Sequence, residues 1–324
     1  MKIGIIATGR MAGIAASTIR QMSDAECIAV ASRDKTKALL FAQEHGIERA
    51  YGTYEELLAD KDVELVYVAT PHSHHYDVTL SAIKHGKPCL VEKTFMANHR
   101  QAQDVIEFAR ERGIFIAEAM WTRYQPAVDI IKQQIAHIGT LRMIHASLGY
   151  NMVWRKPKLL QPELCGGALL DVGVYTLHFA QMYCDSPVSA ISGHCTKSDT
   201  GMDLSDAITM TFHNGVMATL EASATSTLPN HGILSGDEGF IVVDNINNPH
   251  TIRRYGPDRV LIEEQNVPTQ ITGYEYEFAA CRDAIAKHLT ESPLMPHQQT
   301  LRIMQQMDSL RKLWGVTYPM DIEE

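Results

Sequence analysis

The 324-residue chain has no CxxC pair among its six cysteines (27, 89, 165, 184, 195 and 281), which removes the usual signals for a zinc site or a thioredoxin-like motif and favours reduced thiols. It has no stretch approaching the ~20 apolar residues that span a bilayer, and no basic segment followed by a long apolar one. It also lacks excess positive charge. A net charge of -9 gives no electrostatic reason to expect a nucleic-acid or anionic-membrane partner, so any phosphate site must be local. These absences predict a cytoplasmic protein. Repeats and low-complexity segments are missing too, and the length favours two domains.

What is present is a rhythm. Short apolar runs at Lys2–Ala7, Cys27–Ser32, Leu65–Ala69, Pro88–Glu92 and Ile114–Ala117 alternate with helical patterns at Met11–Met22, Lys35–His45, Tyr76–His85 and Arg100–Arg112. Such alternation predicts a parallel sheet covered on both faces. Beyond about residue 120 the pattern changes. "LRMIHASLGYNMV" is long enough for an extended strand, and "AITMTFHNGVMATLEAS" places two runs around Asn214-Gly215, a dipeptide suited to a type I′ hairpin. The fold class expected is α/β: a doubly wound Rossmann domain (1–119), then a C-terminal α/β domain (120–324) with a large, mainly antiparallel open sheet.

The turn Ala7-Thr8-Gly9-Arg10-Met11-Ala12 approaches G-x-G-x-x-G/A, with Ala7 in place of the first glycine. Gly9 lets the backbone approach a pyrophosphate and Ala12 lets helix pack on strand, so Thr8, Gly9, Arg10 and Met11 are candidate cofactor contacts at a helix N-terminus. Alanine serves at position 7 only with a negative φ. The second strand ends Ser32-Arg33-Asp34. A hydroxyl and a guanidinium suit a 2′-phosphate, which favours NADP, while Asp34 turned inward would suit NAD.

Four further motifs follow in order: "VYVATPHSHHYD", "KPCLVEKTF", "AEAMWTRYQPA" and "CGGALLDVGVYTLH". With the opening turn they closely resemble the glucose–fructose oxidoreductase/inositol dehydrogenase (Gfo/Idh/MocA) family over essentially the whole chain. Within it, "ASRD", "EAMWTRYQPA" and "GGALLDVGVY" look most like the dimeric dihydrodiol dehydrogenases, which use NADP and also oxidise sugars such as xylose. The resemblance implies an oxidoreductase acting on a secondary alcohol or carbonyl of a sugar, polyol or cyclic diol, and a homodimer or higher homo-oligomer formed through the open sheet. It also implies Lys93 as the active-site lysine, with Glu92 beside it. Thr94 replaces the family's proline; a cis bond before threonine costs about 3 kcal/mol, which leaves a trans loop or a strained one open. Asp171-Val172-Gly173-Val174-Tyr175 matches D-x-G-x-H with tyrosine for histidine, the acid/base choice of the dihydrodiol dehydrogenases. Thr70, Pro71 and His75 match the loop under the nicotinamide ribose, and Trp121 and Arg123 the mouth of the site.

The chemistry is coherent. Alcohol oxidation needs a hydride acceptor and a group that takes the hydroxyl proton. A phenol's pKa of about 10 is too high for that task at neutral pH unless an ammonium such as Lys93 favours phenolate. Asp171, four residues before Tyr175, shares its face if the segment is helical, and can orient substrate or lysine. His178 is an alternative base or a packing residue, and Trp154 and Arg155 are further pocket candidates. His72, His74 and His75 fit a cofactor loop better than a metal site. Against the enzyme stands a second reading, a dinucleotide- and sugar-binding regulator without turnover, which would need no proton relay.

Overall fold

Strands buried on both faces need cover on both sides, and the first sheet has it. The computed structural model describes residues 1–321. It opens with β1 (Lys2–Ile6), α1 (Arg10–Ile19), β2 (Glu26–Ala31), α2 (Lys35–His45), β3 (Arg49–Tyr51), α3 (Tyr54–Leu58) and β4 (Leu65–Val68). It continues with α4 (His75–Lys84), β5 (Cys89–Glu92), α5 (His99–Glu111) and β6 (Ile116–Ala119). The six strands are parallel in the order β3-β2-β1-β4-β5-β6. The order reverses between β1 and β4, which makes the carboxyl ends of those strands the crevice where such sheets bind ligands. The three-residue edge strand β3 is too short to give a periodicity and was not legible in the sequence.

The second sheet follows α6 (Ala127–Ile135). Its strands are β7 (Leu141–Gly149) and, after α7 (Val174–Tyr183), β8 (Val188–Lys197), β9 (Asp203–Phe212) and β10 (Met217–Ser223). β11 (Gly232–Gly236), β12 (Phe240–Val243), β13 (Thr251–Tyr255) and β14 (Leu261–Asn266) complete it. The order is β14-β13-β12-β11-β7-β10-β9-β8, antiparallel except for β7 beside β10. Ile208, Met210 and Phe212 of β9 are buried while Ala207 and Thr209 are exposed, the alternation of a sheet with one covered face. The Asn214-Gly215 hairpin is present between β9 and β10, but not as type I′. Of the two residues only Gly215 takes a positive φ, +84°, and its N–H donates to the Phe212 carbonyl. A tight turn closed by a left-handed glycine replaces the mirror-image one.

Two more helices follow, α8 (Glu275–Ala286) and α9 (His297–Trp314). By packing, the chain falls into two compact units, each built from two stretches of sequence. One unit comprises residues 1–124 and 270–304, the other 125–269 and 305–324. The physical reason is burial: Phe278 and Cys281 of α8 belong to the first unit's core with Ile3, Val30 and Leu90, and Phe278 meets the Tyr67 ring edge-on at 5.4 Å.

Candidate active site

The turn after β1 is built as a dinucleotide turn despite its missing glycine. Ala7 has φ +97°, so the expectation of a negative φ is corrected: alanine occupies the glycine conformation with its strain. The Ala7 N–H donates to the Ala31 carbonyl, holding the turn against β2. Gly9 caps α1 in an extended conformation, and no side chain accepts from the helix's first N–H groups. A Cβ added to Gly9 would meet nothing within 4 Å. An exposed glycine at a helix start without side-chain capping leaves backbone donors and open space where a pyrophosphate fits. Arg10 is exposed beside it, and Thr8 and Met11 are half-buried.

At the end of β2 the two readings of Asp34 separate. Its carboxylate accepts the N–H groups of Thr36 at 2.9 Å and Lys37 at 3.3 Å, so it is the N-cap of α2. Ser32 Oγ accepts the Asp34 N–H at 3.3 Å. Arg33 is exposed, with Nη1 3.4 Å from Nε2 of His74. Burial, then the Arg33 charge, pushes the His74 pKa down, so this ring is neutral and can accept from the guanidinium. His74 is thereby drawn to the end of β2, a pairing across the sheet that no sequence spacing announces.

The loops after β4 and β5 are tied together. His75 is fully buried, with Nδ1 3.0 Å and 3.1 Å from the carbonyl oxygens of Thr94 and Phe95 and Nε2 2.9 Å from that of Thr70. It therefore ties these two loops to each other. The Lys93–Thr94 bond is cis. Glu92 is buried and accepts the Tyr67 hydroxyl, whose pKa is raised well above the usual phenol range by burial and by Glu92. Lys93 is half-buried and Pro71 partly exposed. Trp121 is buried and stacks on Tyr274 at 4.2 Å with the rings nearly parallel; Arg123, two residues on, is half-buried.

In the second unit Asp171 lies in a π-helical turn, Leu169–Gly173, that runs into α7. The helical segment assumed for the Asp171–Tyr175 spacing is present, with a wider first turn of a kind often found at functional sites. Asp171 is buried and accepts from Lys156 Nζ at 3.0 Å. The start of the turn is held by Asp203, whose Oδ2 accepts the Leu169 N–H at 2.5 Å. Gly167, at φ +111°, allows this approach, since a Cβ there would lie 2.2 Å from Asp203 Oδ1. Tyr175 is half-buried and His178 fully buried. Trp154, expected at a strand end, stands in the loop beyond β7 and is 82% exposed, and Arg155 is exposed beside it.

Residues 1–119 match the oxidoreductase family with an NAD-binding Rossmann fold, Gfo/Idh/MocA, and residues 129–242 match the C-terminal domain of the same family. The chain belongs to the Gfo/Idh/MocA family. The trans-1,2-dihydrobenzene-1,2-diol dehydrogenase of Xenopus tropicalis is 33% identical over 98% of this chain and 99% of its own length, and that of Sus scrofa 32% identical over 99% of each. Among solved structures, the aldose–aldose oxidoreductase of Caulobacter crescentus shares the fold at TM-score 0.87 and 19% identity, covering 97% of both chains. A 3-ketoreductase from Actinomadura kijaniata, in complex with NADP and TDP-benzene, does so at TM-score 0.86 and 23% identity, covering 96% of this chain and 97% of that one.

Within this Gfo/Idh/MocA oxidoreductase the nucleotide-side candidates gather at the carboxyl ends of β1, β2, β4 and β5, as a doubly wound sheet requires. Asp171 and Tyr175 fall one turn apart on a single helical segment. Three residues that sequence reading passed over join them. Lys156 pairs with Asp171 from an irregular loop, Tyr274 covers a face of Trp121 from the far end of the chain, and Glu118 is buried behind the Lys93 loop. Only for Glu118 was there a signal, a carboxylate inside the apolar strand "IAEA".

Proposed function

We propose that this oxidoreductase is an NADP-preferring dehydrogenase that interconverts a secondary alcohol and its carbonyl on a sugar, polyol or cyclic diol. The observation that carries the nucleotide preference is the end of β2. Ser32 and Arg33 offer a hydroxyl and a guanidinium, and the Asp34 carboxylate is committed to capping α2. The names of the relatives, a diol dehydrogenase and sugar-acting oxidoreductases, support the substrate class.

In this reading the Thr8–Met11 turn holds the pyrophosphate, Ser32 and Arg33 the 2′-phosphate, and the Thr70–Pro71 loop the nicotinamide ribose. Glu92 and His75 keep that region in shape, and Trp121 and Arg123 border it. NADP supplies the hydride acceptor when bound. Tyr175 takes the substrate hydroxyl proton and returns it in reduction. Lys93 contributes the positive charge that favours phenolate and a second station for the proton. Asp171, fixed by Lys156, orients the substrate hydroxyl. The exposed cross-strand pair Met143 and Met217 on the open face of the second sheet supports a homodimer formed through that face, in a cytoplasmic enzyme.

The test is a paired titration with NADPH and NADH followed by nucleotide fluorescence, then a screen of sugars and diols with the preferred form. A preference for NADPH of roughly tenfold or more is expected, equivalent to about 1.4 kcal/mol. Preference for NADH would overturn the role given to Ser32 and Arg33. Light scattering at the monomer mass would overturn the dimer.

A further inference from the structure

Glu118 has no part in the reading above, yet it is 2% exposed and lies behind the loop that carries Lys93. Glu118 stands opposite Val91 in the β5–β6 register, beside the start of the Lys93 loop; there its carboxylate accepts the Phe95 N–H, and Oε2 accepts the Thr300 hydroxyl of α9 at 2.9 Å. The Tyr124 hydroxyl donates to its backbone carbonyl at 2.9 Å, fixing the strand end. The charged and titratable groups facing it are Lys93 from the loop after β5, and Arg123 and Tyr124 from the turn after β6. From α9, His297 directs Nε2 to the Ile116 carbonyl at 2.9 Å. The two peptides after Lys93 are thus held twice, at Phe95 N–H by Glu118 and at the Thr94 and Phe95 carbonyls by His75.

We propose that Glu118 is a positioning residue: it anchors the Lys93 loop through the Phe95 N–H and sets its negative charge toward the Lys93 ammonium. The proposal rests on the reading that places Lys93 in the proton relay. A carboxylate accepts a backbone N–H more strongly than a neutral acid does, and it loses its pull on an ammonium when protonated. Burial pushes Glu118 up to about 7, against the opposing effects of Thr300, Arg123, the Phe95 N–H and Lys93. Its charge therefore changes near neutral pH.

The experiment has two arms. In the first, hydrogen exchange of the peptide containing Phe95 is followed in the full chain without cofactor or substrate, corrected for intrinsic rates. Wild type is expected to protect this amide more at about pH 8 than at about pH 6, and Glu118→Gln to match the low-pH wild type throughout. In the second, Glu118→Gln lowers kcat roughly ten- to hundredfold, leaves KM and NADPH affinity within about twofold, and abolishes a step in the kcat profile near pH 7. Thr300→Val keeps the acid and removes one donor to its charged form, so the step should move to higher pH. That variant decides the matter if Glu118→Gln does not fold. Equal protection at both pH values, a Glu118→Gln enzyme with wild-type kcat and profile, or an unmoved step in Thr300→Val would each overturn the proposal. Lys93→Met separates the two claims. If it is inactive while Glu118→Gln is unaffected, only this inference fails; if it retains full turnover, the relay reading itself fails.

Discussion

The carboxyl group of Asp206 faces that of Asp203 in a part of the second unit closed to solvent. Burial pushes Asp203 up to about 6, even though it accepts the N–H groups of Leu169 and Ala168. Burial and the Asp203 charge hold Asp206 well above the usual carboxylate range. The pair lies under the turn that carries Asp171, with Asp206 Oδ2 at ordinary contact distance, 3.5 Å, from the position a Cβ would take on Gly173.

The first prediction concerns stability against pH. Both acids have folded-state pKa values above their unfolded ones, so the folded chain binds more protons and stability falls as pH rises from about 4 through about 6 and beyond. Asp206→Asn removes the repulsion while keeping the shape. It should raise stability at about pH 8 on the order of 1 kcal/mol or more, and change little at about pH 4. Thermal melts of both proteins across that range check it; an equal effect at both ends would contradict the assignment.

Ala7 gives a second prediction. Its φ of +97° is a glycine conformation, so Ala7→Gly should relieve strain worth about 1–3 kcal/mol, less the extra entropy that glycine loses on folding. A higher melting temperature is expected, with cofactor affinity kept or improved. A fall in melting temperature would show that the alanine methyl contributes packing that outweighs the strain.

At the end of β2, two neighbouring substitutions should separate recognition from capping. Arg33→Ala should weaken NADPH binding roughly ten- to hundredfold and leave NADH unchanged, because only the 2′-phosphate loses a charged partner. Asp34→Ala should cost about 1 kcal/mol of stability through the lost α2 cap, with the nucleotide preference intact. Titrations and melts on the same preparations distinguish the two, and a swing toward NADPH in Asp34→Ala would show that Asp34 had been repelling the phosphate.

Tyr175→Phe tests the acid/base assignment. Turnover should drop by about 10²–10⁴, while NADPH affinity stays within about twofold. Steady-state kinetics beside a binding titration gives both numbers. A variant that keeps wild-type kcat would remove Tyr175 from the relay and return attention to His178, one turn further along α7.

The sequence by itself determined the doubly wound first sheet and the paired strands around Asn214-Gly215, and it spaced Asp171 and Tyr175 four residues apart, which puts them on one face once that segment is helical. All of these rest on local periodicity and short-range spacing, which a linear text records. Tertiary structure decided the rest. Ala7 had to take a positive φ because the turn is held by its hydrogen bond to β2, and a letter does not carry a dihedral sign. Asp34 became a cap because the N–H groups of Thr36 and Lys37 lie within its reach once α2 forms. Residues 270–304 joined the first unit because Phe278 and Cys281 bury against strands laid down more than half a chain earlier. Lys156 beside Asp171, His74 beside Arg33 and Glu118 behind Lys93 are pairings across loops and layers. They arise from loops brought together as the sheets form, which leaves no period in the sequence.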